Sequence, residues 1–223
     1  KIPAGTDAVD IEATPSRNGF WILAGRGQVI PVGDAAKLPS LDSGDLAAGE
    51  SPVSLAATRS GAGYWIFTST GRVHPFGDAR SFGDLAGVVL TAPIRAGVAS
   101  SGGGGYYLTG ADGGVFTFGD ARFSGSLAGR RLQAPVVSLA LDPDGSGYWL
   151  AAADGGVFGF DAAFRGSLPP NALNGPVVGA ETYGDGYALV ASDGGVFVFS
   201  DRPFHGSLGQ HPPPNRITAL AVH

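Results

Sequence analysis

Residues 147–161 read GYWLAAADGGVFGFD, and residues 186–201 repeat the pattern as GYALVASDGGVFVFSD. Each copy is two short runs rich in β-branched and aromatic residues that meet at an Asp-Gly corner, which is how a tight antiparallel hairpin is written. Asp112-Gly113, Asp154-Gly155 and Asp193-Gly194 supply residues that tolerate the positive φ such a corner requires. The Asp at these corners is a turn former first.

Two independent columns extend the hairpin into a repeat. The Gly-aromatic pair recurs as Gly19-Phe20-Trp21, Gly63-Tyr64-Trp65, Gly105-Tyr106-Tyr107, Gly147-Tyr148-Trp149 and Gly186-Tyr187-Ala188, at steps of 44, 42, 42 and 39 residues. PVGDA at 31, PFGDA at 75, TFGDA at 117, GFDAA at 159 and VFSDR at 197 keep the same spacing. A proline-led strand such as APVVSLALD precedes each hairpin, and a short segment follows it: FSGSL (123–127), FRGSL (164–168) or FHGSL (204–208).

Four strands in about 42 residues is the size of one propeller blade, and the 3.6-residue periodicity that helical repeats of this length need is missing. A lone sheet of this kind is apolar on both faces and has to stack on neighbours. The sequence therefore predicts an all-β fold, a β-propeller of five four-stranded blades forming one domain over residues 1–223. The units fall at 8–50, 51–91, 92–133, 134–174 and 175–215. The proline-led strand occurs a sixth time at 216–223, either as a closing strand at the seam or as the first strand of a further blade. Left unpaired, such an edge invites association.

The string GYWL-x-A-x-DGGVF-x-FGDA-x-F-x-GSL, spread over residues 8–223, resembles the tandem repeat of secreted and cell-wall-associated actinobacterial proteins, often found beside hydrolase domains. The resemblance implies a secreted or cell-surface module. Five-bladed lectin propellers of the tachylectin and tectonin kind are an architectural analogy, without residues that carry over. The first unit departs most: GRGQVIPVGDAAKLPSLDSGDL lacks DGGVF and GSL, so a repeated site should be weakest there.

Bulk composition excludes several classes. With 43% hydrophobic residues in 223, the chain can bury a core, and its 38 Gly and 16 Pro sit at fixed offsets as turns. Cysteine is absent, which removes disulfides, zinc thiolates and cysteine nucleophiles. Methionine is absent too, so a processed or trimmed start is expected. A net charge of −5 with scattered basic residues argues against a nucleic-acid partner, and no apolar run approaches the roughly 18 residues of a membrane span.

No nucleophile elbow, phosphate loop, zinc-protease helix or dinucleotide fingerprint is present. LDPDGSG (141–147) opens like a calcium loop through Asp142 and Asp144 but lacks its remaining ligands. His74, His205, His211 and His223 are scattered, so neither a metal nor a cofactor is assigned. Asp34, Asp78, Asp120, Asp161 and Asp201 stand at one corner in every unit. A carboxylate there accepts backbone N–H bonds two residues on and holds the turn, while a ring of them could also bind cations or sugar hydroxyls.

Two candidate sites remain. Trp21, Trp65, Tyr107 and Trp149 form an aromatic column, either packed between blades or offered as sugar platforms. Glu12 and Glu181 share a column of the proline-led strands, and in a closed ring the first and fifth units would be neighbours. Two facing carboxylates would raise one pKa and could serve as glycosidase acid and nucleophile. A single Glu binding Arg95 or channel water is the structural alternative.

The expectation is thus a non-catalytic extracellular binding module for glycan, cell-wall polysaccharide or a protein partner, with avidity from repeated shallow sites. Its alternatives are a small glycoside hydrolase using Glu12 and Glu181, or a scaffold attached to a secreted hydrolase. Oligomers through the surplus terminal strand are possible. Beyond the repeated shape, the Glu pair, the first unit and the loops carrying Arg122, Arg165, Arg202 and His205 are where function can reside.

Overall fold

The computed structural model describes residues 7–42, 44–169 and 171–222. Among these there is no helix, and the strands form five three-stranded sheets, each in chain order. They are β1 (Ala8–Ala13), β2 (Gly19–Ala24) and β3 (Val29–Gly33); β4 (Pro52–Ala57), β5 (Gly63–Thr68) and β6 (Val73–Gly77); β7 (Ile94–Ala99), β8 (Gly105–Gly110) and β9 (Val115–Gly119). β10 (Val136–Leu141), β11 (Tyr148–Ala152), β12 (Val157–Phe160) and then β13 (Val177–Tyr183), β14 (Gly186–Ala191), β15 (Val196–Phe199) complete the set. His223, with the last position of the predicted strand 216–223, lies outside the described residues.

The hairpin corners form as the sequence expects. Gly113, Gly155 and Gly194 take the positive φ, at 75°, 85° and 85°, and the Asp before each accepts the N–H of Gly114, Gly156 or Gly195. The first unit makes the same corner from a different sequence: Gly27 has φ 90°, and Leu41 N–H donates to its carbonyl at 3.2 Å. Glycine opens or directly precedes the second strand because that backbone nearly touches the third. A Cβ on Gly63 would lie 2.6 Å from the Phe76 carbonyl oxygen, and one on Gly147 2.0 Å from that of Phe160.

The predicted fourth strand is absent among the described residues. FSGSL, FRGSL and FHGSL hang on the hairpin through Leu127 N–H to Gly113 O (2.9 Å), Leu168 N–H to Gly155 O (3.1 Å) and Leu208 N–H to Gly194 O (2.8 Å). Gly125, Gly166 and Gly206 explain the difference, because φ values of 137°, 136° and 121° turn the chain out of a ladder within that segment.

The chain divides into two compact units. The first runs to Leu108 and takes in Phe116–Ala121; the second comprises Thr109–Val115 and Arg122–Val222. In the first unit Trp21, Leu23, Leu41, Leu55, Tyr64 and Ile66 make one core cluster, and Trp65, Phe67, Leu85, Ile94, Tyr106 and Leu108 belong to the next. In the second unit Trp149, Val157, Val177, Tyr187 and Leu189 share a core. Each cluster draws residues from two consecutive sheets, so within each unit burial depends on stacking one blade on the next.

A tyrosine fixes each stack. Tyr64 donates its phenol to Pro39 O (2.7 Å), Tyr106 to Gly83 O (2.5 Å), Tyr148 to Gly125 O (2.6 Å) and Tyr187 to Gly166 O (2.5 Å). The acceptor always lies in the closing segment of the preceding blade. The same rings pack on that blade's tryptophan where it has one, with centroids 5.9 Å apart for Trp21–Tyr64, 5.8 Å for Trp65–Tyr106 and 5.0 Å for Trp149–Tyr187.

Candidate functional site

The first strands of successive blades pack side by side, β1 against β4 against β7 in the first unit and β10 against β13 in the second. They are laced by side chains. Asp10 accepts the N–H of Leu55 (2.8 Å) and Glu12 that of Ala57 (3.0 Å). Ser54 exchanges hydrogen bonds with Gly97, donating to its carbonyl (3.2 Å) and accepting from its N–H (2.7 Å), while Ser138 donates to Ala180 O (3.1 Å). Glu12 is therefore a lacing residue, and its acidic neighbour is Asp10, two positions away on the same face of β1.

Burial dominates the electrostatics of that pair. It raises the Asp10 carboxyl from 3.8 to about 7, against the lowering effect of the Leu55 and Ile11 N–H bonds. Burial raises Glu12 from 4.5 to about 8, opposed by the Ala57 N–H and reinforced by the charge of Asp10. Glu181 stands exposed on β13, opposite Ala188, in the second unit.

The aromatic column is buried. Trp21, Trp65 and Trp149 expose 1%, 2% and 1% of their surface and Tyr107 8%. Each indole N–H donates to the backbone: Trp21 to Ala36 O, Trp65 to Arg80 O and Trp149 to Ala163 O. A pyranose needs an open ring face, and these three indoles spend theirs on the core. Against the edge of Trp65 a cleft of about 350 Å³ opens between Thr58, Ser60, Asp78, Arg80 and Phe82.

The corner aspartates reach farther than a local turn. Asp78 accepts the hydroxyls of Thr58 and Ser60, Asp34 those of Thr14 and Ser16, and Asp120 that of Ser100. Asp201 accepts the N–H of Asp185 (3.0 Å). The carboxylate thus pins the loop between the first two strands to the end of the third, some 16 to 20 residues away. The hydroxyl bonds from Ser60 and then Thr58 hold the Asp78 carboxyl below its usual range. Asp161 differs: its backbone sits at φ 49°, and its carboxylate lies 3.9 Å from Arg122.

Two features escape a reading by columns. Glu50, in a linker without periodicity, has a fully enclosed side chain that pairs with Arg72 at 2.8 Å. Burial pushes its carboxyl up, but hydrogen bonds from Thr68, Ala47 N–H, Thr70 and Arg72 outweigh this and bring it to about 2. The second feature is exposed aromatic surface. Phe123, Phe164 and Phe204 are 55%, 62% and 57% exposed at the head of three closing segments, each within two residues of an arginine: Arg122, Arg165 and Arg202. Alignment of FSGSL, FRGSL and FHGSL displays these phenylalanines, but nothing in it separates an exposed ring from a buried one.

Among the described residues no cluster of three or more His, Asp or Glu side chains is placed to hold a metal, and no helix is long and apolar enough to cross a membrane. No family model matches the sequence, and neither does any curated protein. A chain in the crystal structure of a nidogen/laminin complex aligns with a TM-score of 0.61 at 14% identity, over 84% of this chain and 73% of that one. That neighbour is a β-propeller, and the five sheets described above are consistent with its blades. The chain is an all-β protein with a β-propeller fold.

Proposed function

We propose that this protein is a non-catalytic extracellular binding module that docks a protein partner through the repeated phenylalanine and arginine pairs of its closing segments. The observation that carries the reading is the recurrence of Phe123, Phe164 and Phe204 as exposed rings in three successive blades. Exposed aromatics beside arginine are the residue types enriched at protein interfaces, and copies on one rigid scaffold gain avidity. The fold neighbour, taken from a nidogen/laminin complex, is itself part of a protein assembly and supports this reading. The resemblance of the repeat to secreted, cell-wall-associated actinobacterial proteins supports an extracellular setting in which the module positions an attached or separate enzyme.

The test is capture of extracellular proteins by the immobilised chain, compared with a Phe123→Ala, Phe164→Ala, Phe204→Ala variant. Loss of the captured protein with an unchanged circular dichroism spectrum supports the reading. Equal capture overturns it.

A second reading, polysaccharide binding, is favoured by the cleft beside Trp65, where Arg80 and Phe82 meet hydroxyl-bearing residues. It is the weaker of the two, because the Thr58 and Ser60 hydroxyls already serve Asp78. Cosedimentation with insoluble cell-wall polysaccharide, lost on Arg80→Ala and Phe82→Ala but kept in the triple phenylalanine variant, would favour it over protein docking.

A further inference from the structure

The loop that leads from the third blade to the fourth holds the only basic doublet of the sequence, Arg130-Arg131. Its frame is shared with the preceding blade. LAGRRLQAP (127–135) aligns with LAGVVLTAP (85–93), and only the doublet and Gln133 change. In both loops the turn closes on the leucine, Val88 N–H donating to Leu85 O and Arg130 N–H to Leu127 O, each at 2.9 Å. Val88 and Val89 are 51% and 97% exposed, and the two arginines are exposed as well. The frame thus turns these two positions to solvent whichever side chains they carry.

The loop is held at both ends. Leu127 N–H donates to Gly113 O (2.9 Å) and Val136 N–H to Ala111 O (3.0 Å), while Pro135 O accepts the N–H of Ala153 (2.9 Å). It therefore stands between two hairpin corners, Asp112-Gly113 and Asp154-Gly155, with a cleft toward each. The first, about 290 Å³, is lined by Asp112, Arg130, Gln133 and Pro135 among others. The second, also about 290 Å³, is lined by Arg130, Arg131, Gln133, Asp154 and Phe158 among others. Arg130 and Gln133 belong to both, and all of these residues fall within the second compact unit.

The clefts combine unspent cations with unspent acceptors. Among the described residues Arg72, Arg122 and Arg165 pair with carboxylates, whereas the side chains of Arg130 and Arg131 make no hydrogen bond or ion pair. Their planar forks suit two-pronged capture of a carboxylate. Asp112 and Asp154 each give Oδ1 to the N–H two residues on, at 3.0 and 3.1 Å, which leaves Oδ2 to accept a hydroxyl. Phe158, half-buried, adds an apolar ring to the second cleft.

We propose that the two clefts bind consecutive residues of an acidic polysaccharide whose sugar rings carry carboxylates, a uronate chain. The ring carboxylates meet Arg130 and Arg131, ring hydroxyls donate to Asp112 and Asp154, and the apolar face of one ring lies against Phe158. Only a ligand with both carboxylates and hydroxyls matches the whole set. An acidic peptide would bring like charge to Asp112 and Asp154 with no hydroxyl to offset it. Clefts of this size admit single rings rather than a helix or a folded loop. The site shares no residue with the exposed phenylalanine row or with the cleft beside Trp65.

The probe is tetragalacturonate, titrated into the isotope-labelled whole chain and followed by amide chemical shifts. Saturation is expected, with shifts at residues 130–134 and at Gly114 and Gly156. The fully methyl-esterified tetramer keeps the rings and hydroxyls but loses the charge, and it should bind at least roughly tenfold more weakly. Arg130→Gln with Arg131→Gln should weaken tetragalacturonate to a similar extent; both side chains are exposed, so the variant should fold, which circular dichroism verifies. No saturation by about ten millimolar sugar, equal affinity for the ester, or unchanged binding by the folded double variant overturns the proposal. So do shifts confined to the residues around Trp65, which would move sugar binding to that cleft. Hexaglutamate bound at the same amides as tightly as tetragalacturonate assigns the clefts to acidic peptides and overturns the sugar.

Discussion

The carboxylate of Asp78 accepts the hydroxyl of Thr58 at 2.8 Å, joining the end of β6 to the loop between β4 and β5. Ser60 contributes a second hydroxyl to the same carboxylate. Asp78→Ala removes both bonds and is expected to lower stability by about 1–2 kcal/mol, held to that range by solvent screening of an exposed group. Asp161→Ala, in the same column with a distant, exposed arginine for its ion pair, should fall within about 0.5 kcal/mol of the parent. Paired urea titrations decide this, and equal losses at the two sites would refute the clamp.

Buried and exposed aromatics should separate cleanly. Truncating Trp65 to Ala removes a core ring and its bond to Arg80 O, at an expected cost of about 3–5 kcal/mol. Phe164→Ala, on a ring 62% exposed, should leave the thermal midpoint within a degree or two while reducing partner capture. Calorimetry on the two variants checks the first half, and the capture assay checks the second.

The lacing acids predict an inverted pH dependence. Because the folded-state values of Asp10 and Glu12, about 7 and about 8, lie above those of the unfolded chain, the native state holds protons that the unfolded state releases. Their contribution to stability therefore falls as pH rises from about 4 to about 8, by an amount on the order of a few kcal/mol. Asp10→Asn with Glu12→Gln keeps an oxygen acceptor for Leu55 and Ala57 and should flatten the profile in that window. A parent whose difference from the double variant does not change with pH would contradict the desolvation of these half-buried carboxyls.

Glu50 has the opposite sign. Its folded value, about 2, is depressed, so its stabilisation is present above about 4.5 and is lost as pH falls toward 2. Glu50→Ala strands the Arg72 guanidinium and the Thr68 hydroxyl, and a loss of about 3 kcal/mol near neutral pH is expected. Denaturant melts at pH 7 and pH 3 should show the parent and the variant converging at the lower pH.

The hairpins were legible because Asp-Gly and Gly-aromatic pairs act locally: a positive φ and a close backbone approach leave few residue choices. The closing segment was harder. Its Phe-x-Gly-Ser-Leu alternation reads as a strand, but the φ of Gly125, Gly166 and Gly206 interrupts it, and spacing does not report φ. Glu12 stood out by alignment, whereas Asp10 occupies the column of Ser54 and Ser138 and looks like an ordinary polar substitution. Their shared task, satisfying N–H groups of a neighbouring strand, appears once β1 and β4 lie side by side. Glu50 gave no signal at all, since its partners come from a hairpin some 18 to 22 residues onward.

The tyrosine clasp also bears on how such chains grow and come apart. Each blade takes its seat on the one before it through one phenol and one carbonyl, so a duplicated or deleted unit leaves the remaining seats unchanged. Copy number is then a variable that inheritance can alter without redesigning any interface. Amide exchange should begin at the closing segment of the fifth blade, where among the described residues nothing lies within 4 Å of a Cβ built on Gly206.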